Sequence, residues 1–298
     1  MKRVVITGGT GCIGQALCAE LTDAGYEVVV LSRTPERYPD LPARVLAWPR
    51  DCAAALAGAA AVVNLAGENI AARLRWTAAV KARILDSRLA AGRILAAAVA
   101  ALDRPPPVLV QASAIGWYGD RGDETLDESS PSGNGFLADV ARQWELLVEP
   151  FAEQGLRTVR IRTGLVLGPQ AGILPRLARP FRFGAGGYLG SGRQWMSWIH
   201  LHDEVRAIRF LIEQPTLSGV FNLTAPQPLM ARAFARQLGA VLHRPALLPV
   251  PAPVVRALLG EMGRELLLGS QRVIPRRLQD AGFRFAFAQL RPALENLL

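Results

Sequence analysis

Short apolar runs alternate with longer amphipathic stretches along the first half of the chain. Runs of this kind predict buried strands at 3–7 (RVVIT), 27–31 (EVVVL), 45–48, 61–67, 108–113 and 158–164. Helical periodicity follows the first glycine turn up to Ala24 and covers 137–153. A longer helix is predicted from about Leu74 to Ala101, and it ends before the prolines at 105–107.

Strands that alternate with helices imply crossover connections and therefore a parallel sheet. Continuous apolar strands such as VVVL at 28–31 suit a sheet that helices cover on both faces. We therefore predict an α/β protein with a doubly wound parallel sheet in residues 1–168.

The pattern becomes less regular after Gly168 and Pro169. A glycine-rich segment at 184–192 precedes a predicted helix at 203–213, a strand near 220–223 and a helix at 230–242. The tail, residues 245–298, is amphipathic and punctuated by prolines. Because no long flexible linker separates the two parts, we predict a smaller C-terminal α/β lobe, 169–298, which packs against the first domain and is not independent of it.

The turn TGGTGCIG, residues 7–14, joins the first predicted strand to the first helix. Small residues there allow a tight turn, close approach of the backbone to a pyrophosphate, and close packing of helix on sheet. The helix then directs free N–H groups and the positive end of its dipole at the anion. A structural turn is the alternative, but the strand–turn–helix context favours a Rossmann-type dinucleotide site. Its predicted contacts are Gly8, Thr10, Gly11, Cys12, Ile13 and Gly14.

The end of the second strand indicates which dinucleotide binds. An acidic residue there would hold the adenosine ribose and favour NAD. Ser32 and Arg33 occupy that place, and the first acid after them is Glu36. A guanidinium can bind a 2′-phosphate through charge-assisted hydrogen bonds, so the sequence favours NADP(H). An exposed loop arginine without a ligand is the alternative.

Several motifs resemble those of the extended short-chain dehydrogenase/reductase superfamily. They are TGGTGCIG, NLAG at 64–67, SAIGWYG at 113–119 and RTGLVLGP at 162–169. The resemblance implies further cofactor contacts from Leu65, Ala66, Gly67 and Val166.

Other patterns are similar to an atypical subgroup called epimerase family proteins, which carries a C-terminal domain of unknown function. These are NLAGENI at 64–70, RWT and SR at 75–77 and 87–88, FLADVARQWE at 136–145, WIHLHDE at 198–204 and QRVIPRRLQDAGFRF at 271–285. The resemblance spans nearly the whole chain. It implies an oxidoreductase or epimerase-like enzyme that acts on an unidentified small molecule.

The catalytic pair of that superfamily is absent. In the superfamily a tyrosine delivers the proton, and a lysine four residues later lowers the tyrosine pKa and holds the nicotinamide ribose. The corresponding positions here hold Phe136 and Val140. Lys2 and Lys81 are the only lysines, so no Tyr-x-x-x-Lys exists anywhere in the chain.

Three alternatives remain for the chemistry. Ser113 ends the fifth predicted strand and Tyr118 lies just beyond it, where sheet ligands bind, so both are candidate catalytic residues. The structural alternatives are a turn hydroxyl for Ser113 and a packed aromatic for Tyr118. A cation from another helix, Arg88 or Lys81, could approach the cofactor or simply face solvent. Otherwise the protein binds NADP(H) without catalysis, as a regulatory or interaction protein.

The segment 190–198 lies in the substrate-binding region of the superfamily. The resemblance therefore implies substrate contacts from Gln194, Trp195 and Met196, whereas Trp198 is predicted to be core. His200 and His202 have a spacing that metal sites use, but they lead into a helix, where Asp203 is a natural N-cap. No metal site is predicted, and Glu145 is predicted to lie on the surface.

Composition and charge narrow the class of protein further. Half of the residues are hydrophobic, which excludes general disorder, and three scattered cysteines predict reduced thiols. The net charge of +9 comes from dispersed arginines without a nucleic-acid motif, so we predict no nucleic-acid partner. The N-terminal apolar run is too short for a signal peptide, and no stretch suits a membrane span. We expect a cytoplasmic protein, and superfamily members often form homodimers through helices of the sheet.

Overall fold

The computed structural model describes residues 1–169 and 172–298. Its strands are β1 (Arg3–Thr7), β2 (Glu27–Ser32), β3 (Arg44–Ala47), β4 (Ala61–Asn64), β5 (Val108–Ala114), β6 (Thr125–Leu126), β7 (Arg157–Thr163), β8 (Leu165–Leu167), β9 (Trp195–Met196), β10 (Trp198–His200), β11 (Gly219–Leu223), β12 (Leu229–Met230) and β13 (Arg272–Val273). Its α-helices are α1 (Cys12–Asp23), α2 (Cys52–Leu56), α3 (Ala78–Ala100), α4 (Phe136–Leu146), α5 (Glu149–Glu153), α6 (Leu174–Arg182), α7 (Leu201–Glu213), α8 (Ala231–Val241), α9 (Ala252–Met262), α10 (Arg276–Asp280) and α11 (Leu290–Leu297). No helix within the described ranges is long and apolar enough to cross a membrane.

Seven parallel strands form the central sheet in the order β11-β7-β5-β4-β1-β2-β3. The chain builds outward from β1 to β3 and then crosses to β4 on the other side of β1. Val5 of β1 therefore lies opposite both Val29 of β2 and Val62 of β4. This reversal between β1 and β4 is the switch point where open α/β sheets bind ligands. The predicted doubly wound parallel sheet is confirmed.

Side chains of the strands alternate between two apolar layers. On one face, Val4 and Ile6 belong to a buried cluster with Leu17 of α1 and Ile208 of α7. On the other face, Val5 belongs to a cluster with residues of α2, α3 and α5. Helices thus cover both faces, which explains the continuous apolar strands of the sequence.

Two predicted helices have different boundaries in the structure. The helix expected from Leu74 begins at Ala78, because the Thr77 side chain caps it and accepts a hydrogen bond from the Val80 amide. The helix expected over 137–153 is two helices, α4 and α5. Pro150 lies in the first turn of α5, where its missing N–H is tolerated but would interrupt a continuous helix.

Residues beyond 169 contribute to the central sheet as well as to a second core. α7 covers one face of the sheet and β11 forms its edge beside β7. The second core includes Leu167, Phe181, Trp198 and Phe234, so the prediction of Trp198 as a core residue is confirmed. A boundary at residue 168 would separate β11 from the other six strands of the central sheet. The predicted division into two domains stays a prediction.

The tail returns to the end of the sheet where the chain leaves β5. β13 pairs with β6, which follows β5, through Thr125 with Arg272 and Leu126 with Val273. Ser197 ties the same region together, because its hydroxyl accepts a hydrogen bond from the Val273 amide at 2.8 Å. These contacts place the tail next to the region where the chain leaves the carboxyl end of β5.

The glycine turn at the switch point is tightly packed against the backbone. Gly8 has a φ of 70°, and a Cβ there would lie 2.6 Å from the carbonyl carbon of Leu65. A Cβ on Gly14 would lie 2.5 Å from both the Gly8 oxygen and the Gly9 Cα. On Gly11 the nearest atom would be 3.4 Å away. Gly8 and Gly14 are therefore required for packing, whereas Gly11 is not.

We expect Gly14→Ala to lower the free energy of unfolding by roughly 2 kcal/mol or more, because only backbone atoms could move to make room. Gly11→Ala is the matched control and should cost less than about 1 kcal/mol. Urea denaturation of both variants checks this. Equal losses in the two proteins would contradict the close packing of Gly14.

Candidate functional site

α1 begins just after the carboxyl end of β1, and Gly11 at its start is exposed. Gly11 is its N-cap, with a φ of −81° and a ψ of 175°, and no side chain caps the helix. Amides of a first helical turn, here from Cys12 onward, have no acceptor within the helix. The turn therefore offers N–H donors and the positive end of the helix dipole between β1 and β4. Thr10 closes the turn, since its carbonyl accepts a hydrogen bond from the Gln15 side chain at 2.8 Å.

The end of β2 borders the turn on one side. β1 and β2 pair as far as Thr7 with Leu31, so the next residues of β2 adjoin the glycine turn. Ser32 is buried there, and its hydroxyl accepts a hydrogen bond from the Thr34 amide at 3.2 Å. Arg33 is exposed at the strand end. An exposed guanidinium thus stands at the position where a carboxylate would select NAD.

The loop after β4 forms the other border. The Thr7 hydroxyl donates to the Asn64 side chain at 2.6 Å, and Asn64 donates to Gln111 at 2.9 Å. These buried bonds tie the carboxyl ends of β1 and β4 to the middle of β5. Leu65, Ile13 and Val166 pack against the same core cluster. The structure therefore brings the glycine turn against the loop after β4, where Gly8 approaches the Leu65 backbone. A cofactor contact from Val166 stays a prediction.

Arg88 of α3 lies under this loop. Its side chain is 8% exposed, and a Cβ on Gly67 would lie 2.9 Å from its Cζ. Nη1 donates to the carbonyls of Glu68 and Ile84 at 3.2 and 2.7 Å, and the guanidinium lies 4.5 Å from the Trp144 ring centre. Burial lowers the Arg88 pKa to about 10. Arg88 is therefore not part of a solvated helix face.

The candidate catalytic residues Ser113 and Tyr118 belong to one buried polar network. Ser113 donates to Glu145 of α4 at 2.7 Å, and Arg162 of β7 binds both oxygens of Glu145 at 2.7 and 3.0 Å. The Tyr118 hydroxyl accepts from Arg162 at 3.1 Å and donates to Asn222 at 2.7 Å. The network joins α4 to β5, β7 and β11 inside the protein.

This network favours structural roles for the two hydroxyls. Tyr118 is 0% exposed, and burial raises its pKa to about 12, which makes it a weaker acid near neutral pH. The packed aromatic is therefore the better of the two interpretations of Tyr118. The prediction of Glu145 as a surface residue is wrong, because Arg162 supplies the positive charge that allows a carboxylate to be buried.

The N-terminus of α4 receives a carboxylate from the tail. Glu265 accepts hydrogen bonds from the amides of Phe136 at 3.0 Å and Leu137 at 2.9 Å. Phe136 is the position that corresponds to the absent tyrosine. A cavity of about 280 Å³ opens here, between the turn after β5 (116–120), the approach to α4 (134–137) and the tail (264–271). Glu265 was not among the predicted site residues, because no local pattern distinguishes it from other acidic residues of the sequence.

Lys81 also lies close to the position of the absent pair. Its ammonium is 2.9 Å from Glu261 and 4.7 Å from the ring centre of Phe136. A second cavity of about 450 Å³ is lined by these three residues together with Asp139 and Val140. The contacts of the Lys81 ammonium are therefore with the tail and with Phe136, and none of them is with the glycine turn.

The predicted substrate residues are engaged in contacts with the tail and the second core. Gln194 donates to the carbonyls of Leu189 and Leu267 at 2.9 and 3.2 Å. Trp195 donates through its indole nitrogen to Asp123 at 2.9 Å, and Met196 packs against the second core. These contacts indicate that the segment positions the tail, and substrate contacts from it stay a prediction.

The prediction of Asp203 as the N-cap of its helix is wrong. His200 caps α7, because its Nδ1 accepts a hydrogen bond from the His202 amide. Asp203 is fully buried one turn further on and accepts hydrogen bonds from the amides of Ala286 and Phe287, both at 2.8 Å. The Asp203 carboxylate therefore holds the tail against α7, and it does not cap the N-terminus of that helix.

Glu204, the next residue, is a fully buried carboxyl group close to the glycine turn. Oε1 accepts a hydrogen bond from Thr163 at 2.7 Å, whereas Oε2 has no hydrogen-bond partner among the described residues. Burial raises the Glu204 pKa to about 8. Burial and the neighbouring Glu204 charge also raise the pKa of the Cys12 thiol at the start of α1.

A doubly wound parallel sheet with a glycine turn at its switch point defines a Rossmann-type α/β protein. Residues 4–224 match the model of the NAD dependent epimerase/dehydratase family, and residues 250–297 match a domain of unknown function. The chain belongs to the NAD dependent epimerase/dehydratase family, so the resemblance that the sequence motifs indicated is confirmed.

Similar proteins carry the same family description. An epimerase family protein of Mycobacterium bovis is 44% identical over 95% of this chain and 93% of its own length. Epimerase family protein YfhF of Bacillus subtilis is 38% identical over 99% of this chain and 98% of its own. The crystal structure of the human epimerase family protein SDR39U1 with NADPH has a TM-score of 0.90 and 35% identity, and covers 99% of this chain and 98% of that one.

The buried network generates a prediction about stability. Arg162→Met leaves Glu145 buried without its counter-charge, so the free energy of unfolding should fall by about 3–5 kcal/mol. The double variant Glu145→Gln, Arg162→Met removes both charges and should recover a large part of that loss. Chemical denaturation of the three proteins checks this. A single variant as stable as wild type would show that the pair does not hold α4 in place.

Glu204 generates a prediction about pH. Its pKa is raised from 4.5 to about 8, so the folded state keeps a proton that the unfolded state loses. The contribution of Glu204 to the free energy of unfolding is fully present below pH 4.5, and it is lost as the pH rises to about 8. Glu204→Gln should remove this dependence and raise the free energy of unfolding at pH 8 by on the order of 2 kcal/mol. Urea titrations at both ends of this range measure it, and an unchanged pH profile in the variant would contradict the assignment.

Proposed function

We propose that this protein binds NADP(H) at the switch point of its sheet and acts as an oxidoreductase or epimerase-like enzyme on a small molecule. The uncapped N-terminus of α1 at the glycine turn is the observation that carries the proposal. It offers hydrogen-bond donors and a positive dipole end, which are what a pyrophosphate requires. Bound NADP(H) would supply or accept a hydride.

The choice of NADP(H) over NAD(H) depends on the end of β2. Arg33 is exposed there beside buried Ser32, and a guanidinium favours a 2′-phosphate that a carboxylate would repel. The human relative, similar over nearly the whole chain, was crystallised with NADPH. The proposed contacts are Gly8, Thr10, Gly11, Cys12, Ile13, Gly14, Ser32, Arg33, Leu65, Ala66, Gly67, Arg88 and Val166.

The cavity beside Glu265 supports the proposal that the substrate is a small molecule. It lies where β5 ends, on the side of the sheet opposite the adenosine border at β2, and the tail forms one wall. Ligands of parallel sheets bind outside the carboxyl ends of the strands. Glu265 contributes an ionisable group to this wall in a chain without the usual tyrosine.

A second candidate function is NADP(H) binding without catalysis. The observation that favours it is the burial of Ser113 and Tyr118 in one hydrogen-bonded network. Incubation with NADPH, small carbonyl compounds and nucleotide sugars separates the two functions. Consumption of NADPH with any of them would favour the enzyme, and tight binding without consumption would favour the regulatory protein.

Cofactor selectivity tests the proposal. Wild-type protein should bind NADPH roughly tenfold to a hundredfold more tightly than NADH, which is the range that charge-assisted hydrogen bonds to the 2′-phosphate would give. Arg33→Met should remove most of this preference and leave NADH affinity unchanged. Arg104→Met, an exposed arginine before β5, is the matched control and should behave as wild type. Isothermal titration calorimetry gives all the constants. A failure of the wild-type protein to bind either cofactor would reject the proposed function.

A further inference from the structure

The net charge of the protein is concentrated in two ranges of the chain that contribute to the second core. Residues 172–202 and 214–260 each contain four arginines, and neither range contains an acidic residue or a lysine. Together they carry a formal charge of +8, four from each range, while the whole chain carries +9. Both ranges contribute buried residues to the second core, among them Phe181 and Phe234. Arginines that are dispersed along the sequence therefore come together in the structure.

The eight arginines are all exposed, and the protein does not neutralise them. None of them forms an ion pair within residues 1–169 and 172–298, whereas exposed arginines elsewhere, such as Arg50 and Arg291, do. Unpaired charges of one sign produce a positive potential that attracts anions. The eight residues are Arg176, Arg179, Arg182, Arg193, Arg232, Arg236, Arg244 and Arg256.

Large apolar side chains are exposed among these arginines. Phe183 follows α6 directly and is 79% exposed, and Leu247 and Leu248 are 75% and 56% exposed between α8 and α9. The two segments are neighbours, because the Leu248 amide donates to the Gly186 carbonyl at 3.0 Å. Exposed apolar side chains that lie together mark an interaction site more often than isolated ones do.

The backbone brings the elements that carry the arginines side by side. A Cβ on Gly239 of α8 would lie 3.3 Å from the Phe181 ring of α6 and 2.6 Å from the Arg244 carbonyl oxygen. Arg232 and Arg236 lie seven and three residues before Gly239, hence on the same side of α8. These elements therefore border one basic apolar surface, which consists of Arg179, Arg182, Phe183, Arg232, Arg236, Arg244, Leu247 and Leu248.

The composition of this surface indicates the chemistry of its partner. Guanidinium groups bind phosphates, and exposed phenylalanine and leucine side chains gain free energy when they enter a hydrocarbon phase. A membrane with anionic phospholipids offers both, and interfacial proteins combine arginine with phenylalanine and leucine for this reason. A nucleic acid would use the charge, but its single strands are held by aromatic stacking and it would leave Leu247 and Leu248 in water.

We propose that the basic apolar surface docks the protein on an anionic phospholipid membrane. The arginines contact lipid phosphates, while Phe183, Leu247 and Leu248 enter the boundary between headgroups and acyl chains. Docking of this kind needs no spanning helix. It goes beyond the proposed function and does not depend on it, since none of these residues is a proposed cofactor contact.

Sedimentation of the full chain with extruded vesicles tests the proposal. Wild-type protein should bind vesicles of phosphatidylglycerol and phosphatidylcholine in equal amounts at least about tenfold more tightly than vesicles of phosphatidylcholine alone. High salt should weaken the binding, because it screens exposed charges. Equal binding to both kinds of vesicle, or binding to neither, would overturn the proposal.

Apolar variants test whether side chains enter the membrane. Phe183→Ser and Leu247→Ser should each weaken binding to the anionic vesicles roughly fivefold or more, because each loses the burial of an apolar side chain. Leu146→Ser, at the exposed end of α4, is the matched control and should behave as wild type. Unchanged binding in both surface variants would show a purely electrostatic attraction and would overturn insertion.

Charge variants test whether the surface or the net charge of the chain is responsible. Arg182→Gln combined with Arg244→Gln should weaken binding to the anionic vesicles roughly tenfold or more. Arg93→Gln combined with Arg104→Gln removes the same charge from exposed positions elsewhere and is the matched control. Equal weakening in the two double variants would overturn the assignment to this surface. If duplex DNA is retained through Arg182 and Arg244 while anionic vesicles are not, the partner is a nucleic acid and the proposal is wrong.

Hydrogen exchange of the wild-type protein locates the contact without any variant. Addition of the anionic vesicles should slow exchange of the backbone amides in residues 182–187 and 244–250, since these amides become shielded from water. Protection confined to other parts of the chain would overturn the proposal. Binding of NADPH should be the same in all of these variants, so the result is independent of the proposed cofactor site.

Discussion

The site depends on the close contact between the glycine turn and the loop after β4. Gly8 lies against the Leu65 carbonyl, and Gly14 brings α1 onto the same turn, so no side chain larger than hydrogen fits at either place. Buried hydrogen bonds from Thr7 through Asn64 to Gln111 fix the strand ends beside it. The contact directs the uncapped start of α1 into the crevice at the switch point. The proposed binding of a dinucleotide follows from this geometry more than from any single charged side chain.

The two candidate catalytic residues, Ser113 and Tyr118, belong to a buried polar network. Ser113, Tyr118 and Glu145 meet around Arg162 in the interior, where full pairing offsets the cost of burying two charges. The network locks α4 onto the sheet from one side. Glu265 of the tail holds the N-terminus of the same helix from the other. Arg264 and Glu265 of the C-terminal segment line the cavity together with Asp120, which gives the domain of unknown function a direct part in the proposed site.

The sheet, the glycine turn and the core position of Trp198 could be predicted because each depends on local patterns of apolar residues and glycines. The buried partners could not, because a charged residue in the sequence does not show what it will meet. Glu145 and Arg162 are separated by 17 positions, and Glu265 reaches amides 128 and 129 positions away. Asp203 looked like a helix cap by its place in the chain, yet it holds amides 83 and 84 positions further on. Its burial by the tail is a tertiary effect, which no local rule contains.

A crystal structure of the protein grown with saturating NADPH would test the central claim most directly. The account predicts pyrophosphate oxygens within hydrogen-bond distance of the amides at the start of α1, with the adenosine half beside the end of β2 and the nicotinamide half beside β4 and β5. A cofactor bound elsewhere, or one running in the opposite direction across the strand ends, would contradict it.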